Sequence, residues 1–390
     1  MIRLEDAVTR ILKNTQTTNG ERINLDTALS RVLAEDVFSD TDMPPFNKSA
    51  VDGIACRLSD IDQELEINET IPAGKNPQHR IESGQCSRIM TGAPVPEGAD
   101  CVIMIEDTEE KGNKIRISRP PYKSNICNLG EDIRKGDLVL RKGIRIMPQH
   151  ISVLASIGHL KPLVYRQPLI AIIVTGDEIV EPHVMPEDSK IRNSNGYQLL
   201  SQLIKCGCKV DYKGIVPDRT DELEHTIKYS FEESGILIIT GGASKGEFDL
   251  VPDVMHQIGF KTHFKEVAIQ PGKPFSFSTR KNLVCFGLSG NPVSSFIQFE
   301  LLVKPYLQSI LGMSITQSKL KLPMGEPIGR KRADREYFFP VGISEVTHVI
   351  PLEFHGSAHV NALTNAYGIA SMPIGKTKFE KGELVDVRSL

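Results

Sequence analysis

The 390-residue chain has no tryptophan, and aromatic residues make up only 6% of it, so a platform for stacking bases is not expected. An excess of charge is also missing. Forty-six Lys and Arg stand against 49 Asp and Glu, for a formal net charge of −3. A surface that neutralises many phosphates needs a basic excess, so the balance argues against nucleic acid while leaving room for a local basic pocket. No apolar run approaches the length needed to span a bilayer as a helix. The N-terminal MIRLEDAVTRILKNT lacks the short apolar core of a signal peptide and reads instead as an amphipathic helix. Seven cysteines form no CxxC, and Cys206-Gly-Cys208 has no second pair at zinc-site spacing. Reduced, packed thiols and a cytoplasmic location are the expectation.

What is present has two rhythms. Residues 1–167 and 312–390 read as mostly β, with short apolar stretches such as Ile103–Ile105, Ile115–Ile117 and Leu138–Leu140 between Gly, Pro and Asp clusters; 44–132 reads as an inserted β subdomain. From Pro168 the pattern changes. Leu169–Thr175 is a continuous, β-branched apolar run, the mark of a strand buried on both faces. Helices are expected over Asn193–Cys206, with Leu199, Leu200, Leu203 and Ile204 inward, and over Thr220–Ser234 behind a Ser/Thr/Asp-type cap. Strands are expected over Lys209–Val216, Gly235–Thr240 and Leu283–Leu288, the last leading into a long apolar helix that ends near Leu311. This alternation predicts an α/β domain over 168–311, a parallel sheet with helices on both faces, flanked by β-rich domains.

Ligands of open parallel sheets bind beyond the carboxyl ends of the strands. Three such ends carry unusual loops: Thr175-Gly-Asp-Glu178, Gly241-Gly-Ala-Ser-Lys-Gly-Glu-Phe-Asp249 and Ser289-Gly-Asn-Pro292. Gly241, Gly242 and Gly246 can turn amides toward a phosphate, and Pro292 suits the first turn of a helix whose positive end attracts anions. Neither a Walker A loop nor GxGxxG is present, nor HExxH. The rim acids Asp177, Glu178, Asp218 and Asp249 suggest a divalent cation beside the anion. Asp218 and Asp249 equally suit helix caps. Lys273, in Gln270-Pro-Gly-Lys-Pro274, is a restrained cation or a solvated loop lysine.

These motifs resemble those of the MoeA/gephyrin E-domain family. The resemblance rests on Pro45-Phe-Asn-Lys-Ser-Ala-Val-Asp-Gly53, Ile89-Met-Thr-Gly-Ala-Pro-Val-Pro-Glu-Gly98 and Gly130-Glu-Asp-Ile133. It rests equally on Thr175–Glu178, Gly241–Asp249, Gln270–Pro274, Ser289–Val293 and Gly356-Ser-Ala-His359, and it covers nearly the whole chain in order. It implies an elongated homodimer with a central molybdopterin-binding domain and a cleft shared between protomers. The implied reaction is Mg²⁺-assisted insertion of molybdate into adenylylated molybdopterin with release of AMP. Other proteins of molybdenum cofactor biosynthesis are implied partners.

Carried over by motif, Glu178, Asp249, Asp218 and Lys273 are the catalytic candidates, with Glu178 and Asp249 as metal ligands. Substrate-binding candidates are Asp52, Thr91, Asp132, Gly241, Gly242, Ser244, Gly246, Gly290, Asn291, Pro292, Arg335 and Ser357. Arg330, Lys331 and Arg332 read as a solvated basic turn. The chain departs from the family pattern at Val51, Ile54, Cys127, Gln270 and Ser289, where Met, Tyr, a basic residue, Lys and Pro are usual. Cys127 and Gln270 remove positive charge, and each lost contact would weaken anion binding by about 1 kcal/mol or more. The alternative is therefore a paralogue that binds the pterin or scaffolds a partner without efficient turnover. A related α/β enzyme that acts on nucleotide conjugates, or that adenylylates molybdopterin, is a third reading.

Overall fold

The computed structural model describes residues 1–241, 251–314, 319–344, 347–354 and 356–390. Among these residues lie three six-stranded sheets and several two-stranded ribbons. The central sheet runs, edge to edge, Lys209–Val216, Leu169–Thr175, Ile236–Thr240, Leu283–Leu288, Pro274–Arg280 and Lys261–Glu266. The first four strands are parallel, as the apolar runs imply. The last two are antiparallel: Pro274–Arg280 contains the stretch Phe275–Ser278, which reads as a strand in the sequence, and Lys261–Glu266 adds an edge that the alternation of strands and helices does not indicate.

Burial on both faces explains the unbroken apolar strands. Ile170, Ile172, Ile236 and Ile238 enter one core with Leu199 and Leu203 of the helix Asn195–Lys205 and Val293 and Ile297 of the helix Pro292–Gln298. Ala171, Ile173, Leu237 and Ile239 enter the other, with Leu223 and Ile227 of the helix Thr220–Glu233 and Val254 and Met255 of Val251–Gln257. Alternate strand residues thus serve opposite layers.

Several expectations are corrected. Ile204 is 57% exposed; the inward seam is Leu199 and Leu203, one turn apart, and Ile204 has rotated past it. No side chain caps the helix Thr220–Glu233, which opens behind Arg219. The apolar helix ending near Leu311 widens into a π-helical segment over Phe299–Val303 before closing as Lys304–Ile310. Pro305, near the start of that last segment, has no N–H for the regular ladder. Within the mostly β residues 1–167, Pro148–Ser156 is a helix that the β reading did not include.

The flanking regions are joined to the centre. The N-terminal helix Leu4–Leu12 buries Leu4, Ala7 and Ile11 in the central core. A second sheet runs Cys101–Met104, Gly53–Cys56, Gln85–Ile89, Leu65–Ile71, Lys114–Ile117 and Thr108–Lys111. Its buried face holds Cys56 and Cys101 with sulfurs 3.6 Å apart; all seven cysteines are free thiols. In the third sheet, Ile269–Gln270 leaves the central region and pairs in parallel with Glu336–Tyr337 of the long strand Glu336–Ile343. No helix among the described residues is long and apolar enough to cross a membrane.

Candidate active site

Two adjoining clefts open at the carboxyl rim of the central sheet. The first, about 510 Å³, is lined by Thr175, Gly176, Glu178, Asn193, Asn195, Asp218, Thr240, Gly241 and the Ser289–Pro292 loop, among others. The second, about 490 Å³, is lined by Gln270–Pro274, Ser294, Arg335, Tyr337, Phe354, Gly356 and Ser357. Ser289 and Asn291 belong to both walls.

Backbone geometry forces the rim together. Gly241 has φ +100°, and a Cβ there would lie 2.1 Å from the Thr175 carbonyl oxygen, so only glycine lets the strand Ile236–Thr240 leave beside Leu169–Thr175. Asn195, buried at the start of its helix, donates to the Thr240 hydroxyl (3.0 Å) and the Gly290 carbonyl (2.8 Å), tying two strand ends to one side chain. Thr240 donates in turn to the Ser289 carbonyl (3.1 Å).

The first cleft carries the carboxylates of Glu178 and Asp218, with Arg192 also on its wall. The Asp218 amide donates to Asp177 (3.3 Å), and burial pushes the Asp218 carboxyl above its usual range, with the charges of Asp177 and Glu178 adding to the shift. Asp218 therefore faces the cleft and does not cap the following helix. Glu178 sits on a loop braced by its carbonyl, which accepts from Ile191 (2.8 Å), and by Glu181, which accepts from the hydroxyls of Tyr212 (2.7 Å) and Tyr197 (3.2 Å). Asn193, Asn195, Tyr212 and Glu181 carried no sequence motif that marked them.

The second cleft is cationic on one side. Lys273 lies 3.4 Å from Glu266, and Arg335 lies 3.6 Å from its neighbour Asp334. The Ser357 carbonyl accepts from the Val293 amide (3.0 Å), which docks the C-terminal region onto the Pro292 helix start. Arg330 is not a solvated turn residue. It is half-buried and donates to the carbonyls of Lys376 (2.9 Å), Pro373 (2.7 Å) and Arg335 (2.5 Å), so it anchors the Arg335 backbone, whereas Lys331 and Arg332 are exposed.

Of the remaining candidates, Gly241, Gly290, Asn291 and Pro292 line the first cleft, and Gly242, Ser244, Gly246 and Asp249 lie outside the described residues. Asp52, Thr91 and Asp132 line neither cleft of their own chain. Asp52 and Thr91 are exposed on the second sheet, where the Thr91 amide (2.6 Å) and hydroxyl (2.8 Å) donate to Asp52 and hold its carboxyl below the usual range. Asp132 lines a separate cavity of about 420 Å³ with Lys48 and Cys127. Within one chain Cys127 thus lies outside the Lys273 cleft, whereas Gln270 lines it.

Mg²⁺ takes hard oxygen donors, often one or two carboxylates completed by phosphate oxygens and water. Glu178 and Asp218 present carboxylates of that donor type on the wall of the first cleft. Among the described residues no three acidic, histidine or cysteine side chains converge closely enough to hold an ion alone.

The parallel sheet with helices on both faces, flanked by two further sheets, defines an α/β and β-rich multidomain protein. Residues 171–309 match the probable molybdopterin binding domain, residues 2–158 the MoeA N-terminal region (domain I and II) and residues 321–390 the MoeA C-terminal region (domain IV). The chain belongs to the MoeA family. It is 34% identical over 401 residues to a molybdopterin molybdenumtransferase of Staphylococcus epidermidis, covering 99% of this chain and 95% of that one. A Staphylococcus aureus protein of the same name is 33% identical over 400 residues, with the same coverage. The crystal structure of the molybdopterin biosynthesis MoeA protein of Pyrococcus horikoshii superposes with a TM-score of 0.86 at 29% identity, covering all of both chains.

Proposed function

We propose that this chain is a molybdopterin molybdenumtransferase that inserts molybdate into adenylylated molybdopterin and releases AMP. The observation that carries the reading is the shared wall: Ser289 and Asn291 separate an acidic cleft from a cationic one. A nucleotide-linked pterin and a small oxyanion must meet, and adjoining clefts of opposite character hold such reactants side by side.

In this reading Lys273 and Arg335 hold the oxyanion through charge-assisted hydrogen bonds, with the Ser357 and Ser294 hydroxyls completing its surroundings. Gly241, Gly290, Asn291 and Pro292 line the phosphate-bearing cleft, with Gly242, Ser244 and Gly246 assigned to the same role by motif. Glu178 and Asp218, with Asp249 assigned by motif, orient the phosphate bond that is broken. Mg²⁺ would be held by Glu178 and Asp249, with Asp218 beside them, and would neutralise charge on the phosphates. Asp52, Thr91 and Asp132 line neither cleft of their own chain, and we assign them to the cleft of a second copy in a homodimer. A cytoplasmic location belongs to the same proposal.

One observation favours a second reading, pterin binding without efficient turnover: Gln270 supplies no charge to the second cleft, and Lys273 already faces Glu266. The test is AMP release from adenylylated molybdopterin with Mg²⁺ and molybdate. Release at a rate comparable to an active family member supports the transferase. Tight pterin binding without release, restored by Gln270→Lys, supports the second reading.

A further inference from the structure

Gln298 is fully buried, yet it is polar and lines neither cleft. Its Oε1 accepts from the Ser289 amide (2.8 Å). Its Nε2 donates to the carbonyls of Gly272 (2.8 Å) and Pro274 (2.5 Å). One amide group therefore grips both neighbours of Lys273 with one end and the common wall of the two clefts with the other. The fit is close on its aliphatic side as well: Gly272 has φ +102°, and a Cβ there would come within 3.1 Å of Gln298 Cγ. The Lys273 carbonyl is held separately, by the Val267 amide (2.9 Å).

The bond to Ser289 depends on this chain's own residue. A proline at 289 would have no N–H to donate, and Gln298 Oε1 would then be a buried acceptor without that partner. Ser289 and Gln298 form a matched set, and together they span the distance between the acidic and the cationic cleft.

We propose that Gln298 is a positioning residue that fixes Lys273 relative to the Ser289–Asn291 wall, so that the bound oxyanion is registered against the bound nucleotide. It touches neither ligand and acts through the backbone of the lysine loop. The proposal rests on the assignment of the oxyanion to the Lys273 cleft made above. Its distinctive consequence is selectivity: loosening the loop weakens oxyanion binding while the nucleotide cleft keeps its strand-end network through Asn195 and Thr240.

The test titrates molybdate alone, and separately AMP with Mg²⁺, into the full chain and its variants, with thermal unfolding recorded for each. Gln298→Glu keeps an acceptor for the Ser289 amide but loses the donor to Gly272 and Pro274. Gln298→Met loses both ends at similar volume. In both variants molybdate affinity is expected to fall about tenfold or more, the scale of one charge-assisted hydrogen bond, with AMP affinity changed less than about twofold. Lys273→Ala should show the same selectivity. Where neither variant folds, Gln298→Asn, which keeps the amide on a stem one methylene shorter, carries the comparison. Equal weakening of both ligands, or unchanged molybdate affinity in the variants, overturns the proposal. A wild-type chain that binds AMP but no molybdate overturns the assignment of the Lys273 cleft, and this proposal with it.

Discussion

The backbone amide of Asp218 donates to the side chain of Asp177 at 3.3 Å, so two acids from different strand ends are held together at the mouth of the acidic cleft. Burial and the nearby charges of Asp177 and Glu178 raise the Asp218 pKa. A carboxyl whose folded-state pKa is raised favours the fold below its unfolded-state pKa, near 4, and that contribution is lost as pH rises through the folded-state value. Asp218→Asn should therefore raise the melting temperature at neutral pH, with a gain that shrinks toward pH 4. AMP release should fall on the order of 10²-fold. Thermal melts across pH, set beside turnover, check both signs. A loss of stability at neutral pH would count against crowding of acids as the source of the shift.

Gly241→Ala should destabilise the chain strongly. Its Cβ would stand 2.1 Å from the Thr175 carbonyl oxygen at a backbone conformation that disfavours side chains. A cost of about 3 kcal/mol or more is expected, because two strand ends must separate. Urea unfolding measures it, and a change under 1 kcal/mol would mean that the strands part easily.

Tyr212→Phe removes one hydroxyl from the brace of the Glu178 loop. The Tyr212 hydroxyl donates to Glu181 (2.7 Å) and accepts from Asn193 (2.6 Å), so Asn193 and Glu181 each lose a partner. A stability loss of about 1–2 kcal/mol is expected, together with faster hydrogen exchange over residues 178–193. Exchange unchanged in that segment would show that the small ribbon of Ile179–Val180 with Ile191–Arg192 holds the loop without help.

The assignment of Asp52 to a second copy predicts complementation. Asp52→Ala and Asp218→Asn should each be inactive alone. Mixed at equal amounts and reassembled, half of the dimers contain one of each, and one of their two clefts is intact. About a quarter of wild-type turnover should return. No recovery would place Asp52 outside the cleft.

The fold was legible where burial is symmetrical. Leu169–Thr175 and Leu283–Leu288 are apolar on both faces, so their strands could be read from composition alone and appear with those same bounds. Lys261–Glu266 could not, because an edge strand alternates and mixes charge with Phe264. The short strand Ile269–Gln270 was equally silent, since its partner, Glu336–Tyr337, lies far along the chain. Ile204 was misplaced because four apolar residues lie close together in sequence, whereas a helix of that length buries a narrower seam.

The rim loops were legible as glycine and acid motifs, and Glu178, Asp218, Gly241, Gly290, Asn291 and Pro292 do come together. Arg330 was misread because a basic triplet says nothing of backbone carbonyls that converge from a distant turn. Asn193, Asn195 and Gln298 left no signal, because a neutral amide has no characteristic spacing and its role is set by the groups around it.

By itself, the sequence determined the fold class and the chemical type of the rim, since apolar periodicity and loop glycines are local properties of the chain, and its ordered motifs carried the likeness to the MoeA family. Its lack of tryptophan and its near-neutral charge argued against a nucleic-acid surface without any coordinates. Tertiary structure alone decided that Glu178 and Asp218 line one cleft, that Lys273 and Arg335 line another with a common wall, and that Gln298 joins that wall to the lysine loop. The physical reason is that hydrogen bonds between groups far apart in sequence depend on distance and direction, which strand order and register set and local composition does not.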